Sequence, residues 1–201
     1  MRRAGWGDAG ERLLAGDASF RKYFRLSRPR ASAVVMDAPP PHEDVRPFVR
    51  IGRHLIGLGL SAPAIYAIDE DHGFLLLEDL GDDTFARVLA AGGEEAEVYA
   101  RATDVLIVLH RAGAPALLPG LGAYAGEALI DAAMLLPEWY LPAASGRPTP
   151  HEETTAYRAA WRACLANLPA MPDTLLLRDY HKDNLMWLPG RSGVKACGLL
   201  D

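Results

Sequence analysis

Residues 175–201, LLLRDYHKDNLMWLPGRSGVKACGLLD, contain the most informative pattern of the chain. Three leucines at its start predict a short buried strand, and residues 178–184 predict a polar loop because they show no apolar periodicity. Two further strands are predicted at 185–188 and 194–200, with the turn-forming sequence PGRSG between them. The segment is therefore expected to fold as a strand, a polar loop and a hairpin that ends at the carboxylate of Asp201.

The acidic and amide residues of this segment have a spacing that suits phosphoryl transfer. Asp179 is followed five residues later by Asn184, which matches the D-x-x-x-x-N spacing of kinase catalytic loops. Such a reaction needs a carboxylate that accepts or orients the hydroxyl proton, and oxygen ligands that hold Mg2+ against the phosphates. The pattern predicts Asp179 as the catalytic residue, and Asn184 and Asp201 as the metal ligands.

On spacing alone, the polar loop also fits a plain turn or a hydrolase metal site. Asp and Asn side chains are common turn formers, since both tolerate turn conformations. Asp179, His181 and Asp183 also have the chemistry of metal-hydrolase ligands, but no further His or Asp residues with supporting spacing stand out. The spacing within the loop therefore does not distinguish between a catalytic loop, a turn and a metal site.

Four stretches together resemble one superfamily. RDYHKDNLMWL followed by GLLD is similar to the aminoglycoside phosphotransferase and choline kinase superfamily, a small-molecule branch of the protein-kinase-like fold. Within it, the chain most resembles the bacterial anomeric sugar kinases that phosphorylate N-acetylmuramate and N-acetylglucosamine. The supporting stretches are ASFRKYFRL (18–26), VVMDAPP (34–40) and GFLLLEDLGDDTF (73–85). The likeness runs from about residue 16 to residue 201.

The resemblance implies an α+β, protein-kinase-like two-lobed fold. Residues 1–80 would form an N-lobe with an antiparallel sheet, a nucleotide-phosphate loop and a hinge. Residues 81–201 would form part of a mostly helical C-lobe that carries the catalytic loop. Members of the family continue with helices after the second metal-binding Asp, so the chain is expected to be truncated at its C-terminus.

The resemblance also assigns residues to the nucleotide phosphates. Ser19 lies in the turn that would form the phosphate loop, where backbone N–H groups bind anions. Kinases carry a phosphate-holding lysine on the next strand, but this chain has VVMD at 34–37. The cationic role is therefore expected to fall to one of three residues: Arg21, Lys22 or Arg25.

The hinge and the supporting residues follow from the same resemblance. Glu78 and Leu80 mark the expected hinge, where adenine would pair with backbone groups. Arg178 keeps the basic residue that precedes the catalytic Asp, whereas Leu177 replaces the usual His and its backbone-anchoring contact. His181 is expected to order the loop.

Composition limits the function classes. Half of the 201 residues are hydrophobic and the formal net charge is −5. A packed core is expected, and no basic block suggests a nucleic-acid or membrane-surface partner. Two cysteines make no disulfide framework and fit a reducing cytoplasm, and no apolar run reaches membrane-spanning length.

The expected function is ATP-dependent, Mg2+-dependent phosphorylation of a small hydroxylated molecule, with an amino sugar of cell-wall recycling as the favoured acceptor. The alternatives are a truncated nucleotide-binding module without catalysis, and an aminoglycoside or other small-alcohol kinase. Aminoglycosides are polycations that need an acidic pocket, and the acidic residues of this chain are spread out.

Local patterns predict the remaining elements. Residues 1–15 are expected to form a short helix with Leu13 and Leu14 packed inward. A helix should also start at residues 81–84, with an Asp or the Thr as its cap. The further expected elements are strands at 20–26, 33–37, 64–68 and 73–78, and helices at 45–58, 94–112, 127–141 and 152–168.

Overall fold

The computed structural model describes residues 5–16 and 20–200. Ser19 and Asp201 therefore lie outside the described residues. The chain forms two compact units, the first comprising Met1–Leu118 and Leu177–Asp201 and the second Pro119–Leu176. The lobe boundary near residue 80 stays a prediction.

An antiparallel sheet of five strands dominates the first unit, in the spatial order β1-β2-β3-β5-β4. Alternating side chains give the sheet two apolar faces, as expected for strands with period-two patterning. Met36, Leu75 and Leu77 are buried on one face, and Leu26 and Val35 are buried on the other. The strands are β1 (Gly10–Gly16), β2 (Lys22–Arg28), β3 (Ala31–Asp37), β4 (Ile65–Asp69) and β5 (Phe74–Glu78).

One helix, α1 (Val45–Gly57), covers the first of these faces. Asp44 caps its N-terminus, since the Asp44 side chain accepts a hydrogen bond of 3.0 Å from the backbone N–H of Arg46. Val45 and Val49 of α1 belong to the buried cluster on this face of the sheet. The helix thus begins where the sequence predicts and fixes the position of the segment that follows β3.

Helices and a hairpin complete the first unit. They are α2 (Phe85–Ala90), α3 (Glu95–Ala112), a 3-10 turn at Ala114–Ala116, β6 (Leu185–Trp187), a 3-10 turn at Gly193–Ala196 and β7 (Cys197–Leu199). β6 and β7 pair antiparallel. The guanidinium of Arg101, on α3, lies 4.1 Å from the ring centroid of Trp187, on β6. This cation–π contact holds the hairpin against α3.

The second unit is helical. It contains α4 (Glu127–Leu135), a π-helical turn at Leu136–Tyr140, α5 (Leu141–Ser145) and α6 (His151–Ala166). Glu127, on α4, accepts hydrogen bonds from Arg158 and Arg162, on α6. These ion pairs join the two longer helices of the unit.

Three local predictions are wrong. Residues 10–16 form strand β1 instead of a helix, because they pair with β2, and Leu13 is exposed on that strand. Residues 175–177 contain no strand. The last strand begins only at Cys197, because the backbone at Gly193–Ala196 closes a 3-10 turn.

The apolar content of the helices is moderate. Across the part of the chain that the structure describes, no helix is both long enough and apolar enough to cross a bilayer.

Gly73 provides a test of the sheet. Its φ is +74°, and a Cβ atom there would lie 2.0 Å from the carbonyl oxygen of Ala38. Gly73→Ala should lower the free energy of unfolding by roughly 1–3 kcal/mol from backbone strain alone, and by more from the clash. Gly57→Ala is the control, since a Cβ atom there would meet no atom within 4 Å apart from its chain neighbours and the backbone of its own helix. Equal stability of the two variants in urea titrations would contradict the tight contact at Gly73.

Candidate active site

The polar loop (residues 178–184) is held by hydrogen bonds between its own residues. The carbonyl oxygen of Asp179 accepts from the backbone N–H of His181 at 3.1 Å and from the side-chain Nδ2 of Asn184 at 3.1 Å. The backbone N–H of Asn184 donates to the carbonyl of His181 at 2.9 Å. These bonds bring Asp179 and Asn184 together, and they fix the amide of Asn184 with its nitrogen turned towards the loop backbone.

The end of β7 runs beside this loop. The backbone N–H of Leu200 donates to the carbonyl of Asn184 at 3.1 Å, and that of Leu199 donates to the carbonyl of Ser61 at 2.9 Å. Leu200 directly precedes Asp201, the second predicted metal ligand, which lies outside the described residues. A carboxamide oxygen and a carboxylate suit Mg2+, which keeps several waters. Among the described residues, no three His, Cys, Asp or Glu side chains are grouped as metal ligands.

The supporting residues of the loop face solvent. His181 is exposed, and its Nδ1 accepts a hydrogen bond of 3.3 Å from the backbone N–H of Asp183. Lys182 Nζ lies 3.2 Å from the Asp183 carboxylate, and Arg178 is exposed. A loop-ordering role for His181 is consistent with these contacts and stays a prediction.

A cavity of about 240 Å³ lies between α1, β3 and the end of β7. Arg21 lines it together with Leu177 and Leu200, the residues that flank the polar loop and precede Asp201. Its further lining residues include Met36, Glu43, Phe48, Ile51, Leu55 and Leu199. The Glu43 carboxylate accepts a 3.1 Å hydrogen bond from the backbone N–H of Phe20, which anchors the start of β2 beside α1.

The three basic residues predicted to hold phosphate are in different places. Arg21 lines the cavity. Lys22 is exposed, and because neighbouring residues of an extended chain point in opposite directions, its side chain points away from the side of Arg21. Arg25 is buried in an ion-pair cluster, which we call the Arg25 cluster and define as Arg25, Asp79 and Asp82. Arg21 is therefore the best placed of the three, and the roles of all of them stay predictions.

The Arg25 cluster joins β2 to the segment that follows β5. Arg25 Nη1 donates to both carboxylate oxygens of Asp82 at 2.8 Å, and Nη2 donates to Asp79 Oδ1 and to the carbonyl of Gly81 at 2.8 Å. Arg25 Nε lies 2.8 Å from Asp79 Oδ2. Burial raises the pKa of Asp79, but hydrogen bonds from Ser32, Arg25 and the backbone outweigh it, so the pKa is lowered overall. Asp79 is thus held as an anion opposite Arg25.

The predicted hinge residues make structural contacts with their side chains. Glu78 Oε1 accepts from Arg191 Nη2 at 2.6 Å, and Glu78 Oε2 accepts from the backbone N–H of Ala64 at 3.2 Å. A Cβ atom at Gly198 would lie 3.1 Å from Leu80, which places Leu80 directly against the hairpin. Since these side chains are engaged, any contact of the hinge with a base falls to its backbone groups.

Several residues around this site are not evident from the sequence. The pattern at residues 81–84 offers Asp82 only as a candidate helix cap, and the cap is Thr84, whose Oγ1 accepts from the backbone N–H of Arg87 at 3.2 Å. The partners Arg25 and Asp82 are separated by 57 residues, and Glu78 and Arg191 by 113. A single sequence carries no signal for such pairings.

The chain has an antiparallel sheet covered by one helix, and a loop that carries a carboxylate and an amide five residues apart. This combination is typical of the protein-kinase-like fold class. The chain belongs to the phosphotransferase enzyme family, whose model matches residues 10–201. The superfamily predicted from the sequence is thereby confirmed.

The curated proteins to which this chain is similar share one name. The chain is 37% identical to an N-acetylmuramate/N-acetylglucosamine kinase of Pseudomonas aeruginosa, covering 94% of this chain and 56% of that protein. It is 34% identical to a protein of the same name from Caulobacter vibrioides, covering 98% and 63%. The chain thus spans between about half and two thirds of the length of the curated relatives it matches.

Solved structures support the fold. The APH(2″)-IIa protein, in a ternary complex with streptomycin and ATP, matches with a TM-score of 0.56 at 17% identity, covering 100% of this chain and 68% of that one. A choline/ethanolamine kinase family protein from Mesorhizobium loti matches with a TM-score of 0.58 at 20% identity, covering 98% and 62%. The predicted α+β, kinase-like fold is confirmed.

The Arg25 cluster can be tested by stability. Arg25→Met should lower the free energy of unfolding by roughly 3–5 kcal/mol, because it leaves the buried Asp79 carboxylate without its partner. Arg46→Met is the matched control, since Arg46 pairs with Asp44 on the surface and its loss should leave the urea midpoint nearly unchanged. A similar midpoint for Arg25→Met and the parent chain would contradict the structural role of the cluster.

Proposed function

We propose that the chain carries the nucleotide-binding and catalytic-loop part of an ATP-dependent kinase that phosphorylates a hydroxyl group of a small molecule. The observation that carries the proposal is the hydrogen-bonded polar loop, in which Asn184 bonds to the carbonyl of Asp179 and to the residue preceding Asp201. An Asp and an Asn that only form a turn need not lie beside another strand. Here the loop that carries them is hydrogen-bonded to the end of β7.

Asp179 is proposed as the catalytic residue. It is exposed, so an acceptor hydroxyl has access to its carboxylate. The carboxylate would orient that hydroxyl and accept its proton as the hydroxyl oxygen bonds to the transferred phosphorus and ADP leaves. General-base assistance of this kind typically contributes about 10²–10⁴-fold.

Asn184 and Asp201 would hold Mg2+. The Nδ2 group of Asn184 is engaged by Asp179, which leaves the amide oxygen as the group suited to a hard cation. When bound, the cation neutralises negative charge on the transferring phosphates.

The nucleotide would be held at two places. Arg21, which lines the cavity next to Leu200, would contact phosphate oxygens. Ser19, which lies outside the described residues, is proposed as a second phosphate contact. The backbone around Glu78 and Leu80 would contact the base. The sequence also predicts Lys22 and Arg25 as phosphate-binding residues, and their side chains are less well placed for this role.

The acceptor is proposed to be the anomeric hydroxyl of N-acetylmuramate or N-acetylglucosamine, which would give the protein a role in cell-wall recycling. The names of the curated relatives support this choice. An aminoglycoside acceptor has less support, because such polycations need an acidic pocket and the acidic residues of this chain are spread along the sequence. A reaction that consumes ATP would take place in the cytoplasm.

The acceptor can be tested by ADP release. With ATP and Mg2+, the chain should release ADP when N-acetylmuramate or N-acetylglucosamine is added, and not without sugar. Methyl N-acetylglucosaminide is the sharper control, because its anomeric oxygen is blocked and it should give no release. Release with the blocked sugar would contradict the anomeric assignment. ATP binding without release on any sugar would favour the noncatalytic nucleotide-binding module.

Asp179 can be tested by an isosteric change. Asp179→Asn should lower kcat by about 10²–10⁴-fold with little change in nucleotide affinity, because the amide cannot accept the proton. Asp71→Asn is the control, since Asp71 is an exposed residue in the turn between β4 and β5. Near-normal turnover of Asp179→Asn, measured with the preferred sugar, would refute the assignment.

A further inference from the structure

Tyr180 is partly buried, although its neighbours Asp179 and His181 in the polar loop are exposed. It follows Asp179 directly, and its hydroxyl donates a hydrogen bond of 2.7 Å to the carbonyl oxygen of Ala102. Ala102 lies on the buried face of α3, together with Val98 and Val105. The side chain next to the proposed catalytic residue is therefore fixed to the longest helix of its unit.

The same hydroxyl meets β7. It interacts with the thiol of Cys197, the first residue of that strand. Burial raises the pKa of the Cys197 thiol to about 11, and burial also raises the pKa of Tyr180. Both groups stay protonated at neutral pH, so the contact is a neutral one that does not change with small shifts in pH.

Three elements thus meet at one hydroxyl group: the polar loop, α3 and β7. β7 leads within a few residues to Asp201, and the polar loop carries Asp179. Leu177, the residue that leads into the polar loop, has an apolar side chain and cannot form a hydrogen bond that would anchor the loop backbone. A hydrogen bond from the backbone N–H of Ala86 to the carbonyl of Lys182, at 3.0 Å, ties the loop from the side of α2.

We propose that Tyr180 is a positioning residue, whose hydroxyl holds the backbone of the polar loop so that the Asp179 carboxylate keeps its place relative to the end of β7. The inference rests on the proposed function, since it takes Asp179 as the catalytic residue. Tyr180 would act through Asp179, since its own hydroxyl is engaged by the carbonyl of Ala102. It takes over, from the other side of Asp179, the anchoring that the residue at position 177 does not provide.

The first test is Tyr180→Phe, which removes the hydroxyl and keeps the ring. We expect kcat to fall about 10- to 100-fold, because a small displacement of a catalytic group has an effect of that size, while KM for ATP stays unchanged. Tyr99→Phe is the matched control, since Tyr99 lies on the same helix that Tyr180 contacts and is exposed. A fall in kcat equal to that of the control, or a rise in KM for ATP with kcat unchanged, would overturn the inference.

The second test asks whether Tyr180 acts through Asp179. In the Asp179→Asn background, Tyr180→Phe should cause little further loss of the residual turnover, because the group that it positions is already gone. Fully additive losses would overturn the inference while leaving the proposed function intact. Near-normal turnover of Asp179→Asn alone would instead refute the proposed role of Asp179.

The third test does not depend on activity. Amide hydrogen exchange over residues 178–184 should be faster in Tyr180→Phe than in the parent chain, and unchanged in Tyr99→Phe. Unchanged exchange in Tyr180→Phe would overturn the inference even if the chain transfers phosphate. If the parent chain transfers no phosphate but amide exchange is still faster in Tyr180→Phe, the anchoring role is supported and only the proposed function is refuted.

Discussion

The ion pair between Arg25 and Asp79 fixes strand β2 to the segment that follows β5. Both side chains are almost fully buried, at 10% and 6% exposure. Removing two charges from water costs several kcal/mol for each, and the attraction between them offsets that cost only when geometry and hydrogen bonding are good. The position of β2 in the sheet and the path of the segment after β5 are therefore not independent. A shift of either one would leave a buried charge without its partner.

Structural features that depend only on short stretches of sequence could be predicted. The alternation along β2 and β3, the helix that begins after Asp44 and the hairpin around PGRSG each follow from local patterns. The spacing of Asp179 and Asn184 is also local, and the structure brings these two residues into direct contact. Such features need no partner from a distant part of the chain, so one sequence contains the necessary information.

Features that depend on distant partners could not be predicted. Residues 10–16 have a pattern that permits a helix, and only pairing with β2 makes them a strand. In the sequence, Tyr180 has the pattern of one more residue of a polar loop, and its hydrogen-bond partner is a helix residue that lies 78 positions earlier. The pairing of Asp82 with Arg25 could not be predicted for the same reason. An acidic residue after a strand is typical of a helix start, and nothing near it in the sequence indicates a partner 57 residues away.

Gly198 has a consequence for how this protein can vary. A Cβ atom there would lie 2.9 Å from Met186, 3.0 Å from Leu188 and 3.1 Å from Leu80, so the space is filled from three directions. Two of these neighbours belong to the hairpin region, and the third, Leu80, lies in the segment after β5. A larger residue at position 198 therefore requires a smaller residue at one of these neighbouring positions. These four positions are expected to covary, and a homologue with a side chain at 198 should carry a reduced residue at one of the other three.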